Sequence, residues 1–265
     1  MGDTGGSVDF ECVADNLRES FRVIASSRQA GEVRELRGVS IASAGAAFQM
    51  FNTAFLSSPV ASESELEQRI MAPAVHFQAR GLDWSYWVCQ DWLSSKPSRR
   101  ARRVFERLGL RHAVDLPGMI AEPVAPPVKP LPELAIRRVD GGSTRDAFCG
   151  IGSTCFHVPL PWFEEVFASR TVWERFAGYV GYVDDDPVST AAVVASRDGV
   201  GVYNVATLPG RQRCGYGEAV MRHALAEARR EYGMERAILQ STPAGLRLYE
   251  RMGFRTVTRV SVYST

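Results

Sequence analysis

Three stretches of this chain recur in the same order in its second half. Val39-Ser-Ile-Ala42 matches Val188-Ser-Thr-Ala191, Phe51-Asn-Thr-Ala-Phe-Leu56 matches Tyr203-Asn-Val-Ala-Thr-Leu208, and Val104-Phe-Glu-Arg-Leu-Gly-Leu110 matches Leu248-Tyr-Glu-Arg-Met-Gly-Phe254. The offsets of 149, 152 and 144 agree to within short insertions, the signature of one fold present twice. A total of 265 residues gives each copy enough length to bury its own core. Between them lies EPVAPPVKPLP, Glu122 to Pro132, with five prolines. Proline lacks the backbone donor and fixes φ, so this run is neither helix nor central strand and reads as a semi-rigid connection. The expected domains are therefore residues 1–128 and 129–265.

Charge and composition exclude several classes of function. The chain has 31 basic and 30 acidic residues and a net charge of +1, which gives no electrostatic footing for nucleic acid or an anionic membrane surface. No apolar run approaches the roughly 20 residues of a membrane span, and MGDTGGSVDF lacks the profile of a signal peptide, so a cytoplasmic location is expected. The start Met1-Gly-Asp-Thr only loosely matches a myristoylation signal. Five cysteines without C-x-x-C spacing and four scattered histidines point to neither a disulfide framework nor a metal site.

The pattern of elements is mixed α/β. Residues 1 to about 12 read as a flexible lead-in, followed by a helix over Val13–Ala25, a strand over Val33–Ala42 and another over Phe51–Leu56. Ser62 with Glu65 three residues on forms a capping box that opens a helix to Arg80. A strand at Trp84–Cys89, a helix at Arg99–Leu108 and an extended run at Ala113–Ala121 complete the first copy. The second begins with a strand at Leu134–Val139, a short helix at Ser143–Phe148 and another from Pro161. Strands at Phe176–Val183, Val188–Ser196 and Val200–Leu208 are joined by Asp184-Asp-Asp-Pro187 and Arg197-Asp-Gly199, the turn chemistry of antiparallel hairpins. A helix to about Tyr232 then carries Val220, Met221, Ala224, Leu225 and Ala228 on one face. A strand at Ala237–Gln240, a helix at Pro243–Met252 and a strand at Phe254–Tyr263 close the chain.

The chemistry concentrates in Tyr203–Glu218, YNVATLPGRQRCGYGE, a strand, a glycine-rich turn and a helix start. A helix start exposes backbone N–H groups and the positive end of the macrodipole, so it favours an anion, above all a phosphate. Gly215 and Gly217 remove Cβ atoms that would keep a phosphate from the backbone, and Arg211 and Arg213 add charge. No Lys-Ser/Thr follows for a Walker loop, and no third glycine completes a dinucleotide fingerprint.

Gln212-x-x-Gly215-x-Gly217 resembles the pyrophosphate-binding motif of the GNAT superfamily of acyl-CoA N-acyltransferases, and Gly245-Leu-Arg-Leu-Tyr-Glu-Arg-Met-Gly-Phe254 resembles that family's closing helix and strand. The likeness covers roughly Leu134 to Thr265. It implies an α/β fold with a mixed sheet, two tandem GNAT-like domains, and acetyl-CoA as cosubstrate with no metal. Val205, Ala206 and Thr207 would bond the pantetheine, and Gln212, Arg213, Cys214, Gly215, Tyr216, Gly217 and Glu218 the pyrophosphate. An amide near Val205 or Ala206 is the expected oxyanion donor. Tyr249 matches the tyrosine that often sits near the thioester sulfur in this family, and a phenol with a pKa of about 10 holds its proton at neutral pH and can donate it to the leaving thiolate; the alternative is that Tyr249 packs the last helix against the sheet.

The chain departs from the family at two points. Thr242 stands where an asparagine commonly contacts the coenzyme, and the fourth strand offers Asn204 where many members have a basic carboxylate. Glu164, Glu165 and Glu174 are alternative proton relays, more simply read as solvated helix charges, and His223 as a surface residue. Trp162, Phe163, Phe167, Trp173 and Phe176 read as core that borders the acceptor groove. In the first copy Glu63 and Glu65 fall against Gly215 and Gly217, and Phe105 against Tyr249, so that copy is expected to be inactive. The implied reaction is acetyl transfer to a primary amine of a small molecule or peptide; the alternative is a non-catalytic acyl-CoA-binding or regulatory module.

Overall fold

In the computed structural model, which describes residues 5–265, one run of elements occurs twice. The first comprises α1 (Gly5–Ser26), β1 (Glu32–Leu36), β2 (Val39–Ser43), β3 (Asn52–Leu56), α2 (Glu63–Gln78), β4 (Ser85–Cys89), α3 (Ser95–Arg107) and β5 (Arg111–Ala121). After the proline run and β6 (Ala135–Arg138) come α4 (Gly142–Phe156), α5 (Leu160–Val166) and α6 (Val172–Arg175). Then follow β7 (Ala177–Val183), β8 (Asp186–Ser196), β9 (Gly199–Thr207), α7 (Tyr216–Tyr232), β10 (Ala237–Gln240), α8 (Leu246–Arg251) and β11 (Arg255–Ser264).

The chain divides into two compact units. The first takes the described part of Met1–Met119 together with Gln240–Pro243 and Thr256–Thr265; the second takes Ile120–Leu239 and Ala244–Arg255. The last strand, read from sequence with the second copy, completes the first unit: β11 runs antiparallel to β4, from Val260 opposite Cys89 to Ser264 opposite Ser85. Strand order in the first unit is β1-β2-β3-β4-β11-β5, and in the second β10-β9-β8-β7-β6. Each unit has antiparallel hairpins followed by a helical crossover to a parallel strand, β3-α2-β4 in one and β9-α7-β10 in the other. A helix returning the chain over the sheet face is the ordinary way to bring two strands parallel.

Other expectations change in detail. The lead-in is helical from Gly5, and the myristoylation-like start lies outside the described residues. Phe10 packs against Trp92 at 5.0 Å, an apolar contact that lies before Val13. Val33–Ala42 is a hairpin, β1 and β2, turning at Gly38 with φ +73°. Helix α4 runs on to Phe156, ending at His157 in the left-handed region with φ 55°. Asp184 and Asp185 both take positive φ in the β7–β8 hairpin, as a tight primed turn requires. The cluster Phe163, Phe167, Trp173 and Phe176 is buried around Phe148 as second-unit core, while Trp162 is exposed.

Candidate functional site

The site begins with an irregular strand. Thr190 faces Ala206 but Ala192 faces Tyr203, so two steps on β8 match three on β9 and β9 bulges around Asn204, whose φ is 48°. A bulge breaks the ladder and frees backbone groups. Two fully buried hydroxyls on β8 take these up: Thr190 Oγ1 donates to the Asn204 carbonyl at 2.8 Å, and Ser189 Oγ to the Ala206 carbonyl at 2.7 Å. Ser189 and Thr207 also bond through their hydroxyls at 2.9 Å. On the other edge, β10 pairs with β9 only at Val200 and Gly201. Val205, Ala206 and Thr207 therefore have no strand partner on that edge among the described residues.

The first copy closes the same place. Thr53, Ala54 and Phe55, which match Val205, Ala206 and Thr207, pair in parallel with Ser85, Tyr86 and Trp87, and the β2–β3 register runs without a bulge. Ile41 stands where Thr190 stands in the second copy, with no hydroxyl because no freed carbonyl needs one.

The turn after β9 continues the contrast. Gly215 precedes the first residue of α7 with φ +85°, Arg213 has φ +63°, and the first helical bond runs from the Ala219 amide to the Gly215 carbonyl at 3.0 Å. No side chain caps this start, and the amides of residues 213–218 have no acceptor among the described residues. Helix α2 is instead capped by side chains: Ser62 Oγ accepts from the Glu65 amide at 3.2 Å and Glu65 accepts from the Ala61 amide at 2.9 Å. Successive amides left open over a positive-φ turn form a concavity suited to an anion.

The two glycines do different work. Gly215 is required by its φ and by Pro132, whose Cδ would lie 3.0 Å from an added Cβ. At Gly217 a Cβ would meet Thr207 Oγ1 at 3.1 Å, so this glycine lets the helix start sit close on the strand. Gln212 turns back, donating Nε2–H to the Thr207 carbonyl at 3.2 Å, which also accepts from the Cys155 thiol at 3.4 Å. Arg211 lies 3.7 Å from Asp186, and Cys214 is an exposed free thiol. Tyr216 and Glu218 occupy the first turn, where the Glu218 carboxylate is held by Arg222 at 2.8 Å.

Tyr249 on α8 is buried, and burial pushes its phenol up to about 12, so it is fully protonated at neutral pH. Its ring meets Phe254 edge-on at 5.9 Å and packs so closely on Gly245 that an added Cβ would lie 2.7 Å away. Thr242 falls in the segment Gln240–Pro243 that belongs to the first unit, whereas the other site residues lie in the second. Glu164, Glu165 and Glu174 are all exposed. His223 is half-buried with its edge on Tyr179 at 5.2 Å, not a bare surface residue. Among the described residues no group of three or more His, Cys, Asp or Glu could hold a metal, and no helix is long and apolar enough to cross a membrane. Ser189, Thr190 and Cys155 were not evident from sequence; the one signal was a Ser-Thr pair at the head of the apolar run Ala191–Ala195.

Residues 174–256 match the acetyltransferase (GNAT) domain. No curated protein matches the chain. Among solved structures, a GCN5-related N-acetyltransferase from Kribbella flavida is similar with a TM-score of 0.70 at 18% identity, over 95% of both chains. One from Sphaerobacter thermophilus scores 0.59 at 16% identity, over 86% of this chain and 76% of its own. A tandem GNAT protein from the clavulanic acid biosynthesis pathway scores 0.53 at 10% identity, over 100% of this chain and 95% of its own. Identities this low establish a shared fold, here a tandem GNAT-like one.

Proposed function

We propose, from the match of residues 174–256 to the acetyltransferase (GNAT) domain, that the second unit transfers an acetyl group from acetyl-CoA directly to a primary amine of a small molecule or peptide. The observation that carries the reading is the pairing of six open amides at residues 213–218 with an open strand edge at Val205–Thr207, where the first copy has a side-chain cap and a paired strand. Bound acetyl-CoA supplies the activated thioester. The amides of Arg213, Cys214, Gly215, Tyr216, Gly217 and Glu218, beside Gln212, hold the pyrophosphate, and Val205, Ala206 and Thr207 bond the pantetheine. An amide at Val205 or Ala206 faces the developing oxyanion, where a fixed donor costs no reorganisation as charge develops.

Tyr249 keeps its proton until the thiolate departs and then gives it up. Its buried, neutral state suits an acid and disqualifies it as a base. No carboxylate stands on β9, so the amine loses its proton through water. The first unit is catalytically inactive, since its helix start is capped by side chains, its strand is paired and Phe105 carries no hydroxyl. A thiol-release assay across an amine panel, run beside calorimetry with acetyl-CoA, tests the proposal. Binding with turnover on at least one amine is expected. Binding without turnover would favour a non-catalytic acyl-CoA-binding module, which the missing strand carboxylate makes the second reading, and no binding would overturn both.

A further inference from the structure

The first unit is closed to a coenzyme, yet it holds a cavity of about 190 Å³ lined by a bonded polar cluster. Gln90 Nε2 donates to Ser261 Oγ at 2.8 Å, Ser261 Oγ donates to Asp115 Oδ1 at 2.6 Å, and His112 Nε2 lies 2.9 Å from the same oxygen. Val88, Leu93, Ala101 and Tyr263 supply apolar walls, and Tyr263 is fixed by stacking on Phe105 at 3.9 Å.

A serine, a histidine and an aspartate together invite a nucleophilic reading, and the geometry refuses it. The carboxylate sits in the middle, so Ser261 gives its proton to Asp115 and makes no bond to the imidazole; a hydrolytic triad needs the imidazole between the other two. The cluster instead presents an acceptor. Burial works to raise the Asp115 carboxyl, but the bonds from Ser261 and His112 outweigh it and hold the group below its usual range, hence ionised. Oδ1 has two partners, while Oδ2 has none among the described residues. Arg102, the one arginine lining the cavity, is paired with Glu106 at 2.8 Å.

At the 152 offset Gln90 falls against Thr242, and at the 144 offset Ala101 and Phe105 fall against Gly245 and Tyr249. Of the residues lining the cavity, Gln90 and Ala101 thus correspond in sequence to Thr242 and Gly245 of the second copy.

We propose that this cavity in the first unit binds a small ammonium compound, its N–H donors on Asp115 Oδ2 and its alkyl portion against Val88, Leu93 and Ala101. An ionised carboxylate held by two partners at a partly enclosed cleft favours a cation with directional donors over a neutral or anionic molecule of equal size. The inference does not depend on the activity of the second unit.

The test uses the full chain in thermal-shift titrations with putrescine and ethanolamine as cations, tetramethylammonium as a cation without N–H, ethylene glycol as a neutral and acetate as an anion. The N–H cations are expected to raise Tm with saturation, with little effect from the others, and Asp115→Asn is expected to abolish the shift while Tyr249→Phe keeps it. Equal shifts from tetramethylammonium, or a shift that survives in Asp115→Asn, would overturn the proposal. Should that variant fail to fold, the His112 imidazole resonances of the wild-type protein decide: they are expected to move on adding putrescine, and resonances that stay in place refute the site.

Discussion

Thr190→Val isolates the support of the bulge. Thr190 is fully buried, and valine matches its shape, so the change removes one hydroxyl and opens no cavity. What is lost is the 2.8 Å bond to the Asn204 carbonyl. A buried carbonyl left without a donor costs about 1–3 kcal/mol, and the part-buried setting here places the loss near 1–2 kcal/mol. In a chain of this size that lowers Tm by about 2–8 °C. The larger effect is on geometry. Without the hydroxyl, β9 can relax toward the unbulged register that β3 shows beside Ile41, moving the amides of Val205 and Ala206 from the positions the proposed reaction requires. Turnover is expected to fall more than the acetyl-CoA Kd rises, and Thr190→Ser, which keeps the hydroxyl, is expected to restore it. Calorimetric melting together with steady-state kinetics reads both effects. Wild-type Tm and wild-type turnover in Thr190→Val would refute the reasoning.

Other outcomes follow from the same structure. Tyr249→Phe is expected to lower turnover by roughly 10²-fold with little change in acetyl-CoA affinity; unchanged turnover in the thiol-release assay removes the acid role. Because the folded pKa of Tyr249 is raised from 10.0 to about 12, its contribution to stability is complete below about pH 10 and is lost as pH climbs through 12, and an alkaline melting series should show this loss reduced in the phenylalanine variant. Gly215→Ala forces a side chain into φ +85°, at about 1–2 kcal/mol, and against Pro132, so the acetyl-CoA Kd is expected to rise about tenfold by titration. Deleting residues 256–265 removes the antiparallel partner of β4, and limited proteolysis is expected to cut the first unit rather than the second.

The parts of this fold written in short-range chemistry could be read from the sequence. The hairpin aspartates, the Ser62 capping box, the Gln212–Gly217 turn and the apolar face of α7 each depend on neighbours within a few residues. What escaped depends on distant ones. Nothing in the alternation of Arg255–Ser264 specifies that β11 pairs with β4 in the first unit, because a strand's pattern fixes its buried face and not its partner. A first fragment ending near Glu122 would consequently lack one of its own strands, so the full chain is the proper object for binding work. The bulge at Asn204 was hidden because a register shift leaves no mark in composition; its trace is the Thr190 against Ile41 difference, interpretable only once both registers are known. The packing of Gly217 on Thr207, ten positions earlier across the turn, is likewise invisible in the sequence.

The central claim is that the second copy alone keeps an open phosphate cradle. Calorimetric titration of the full chain with acetyl-CoA tests it most directly: saturable heat at one molecule per chain, lost when Gly215 and Gly217 are both replaced by valine, is the predicted result. Absence of heat, or a stoichiometry of two, would contradict it.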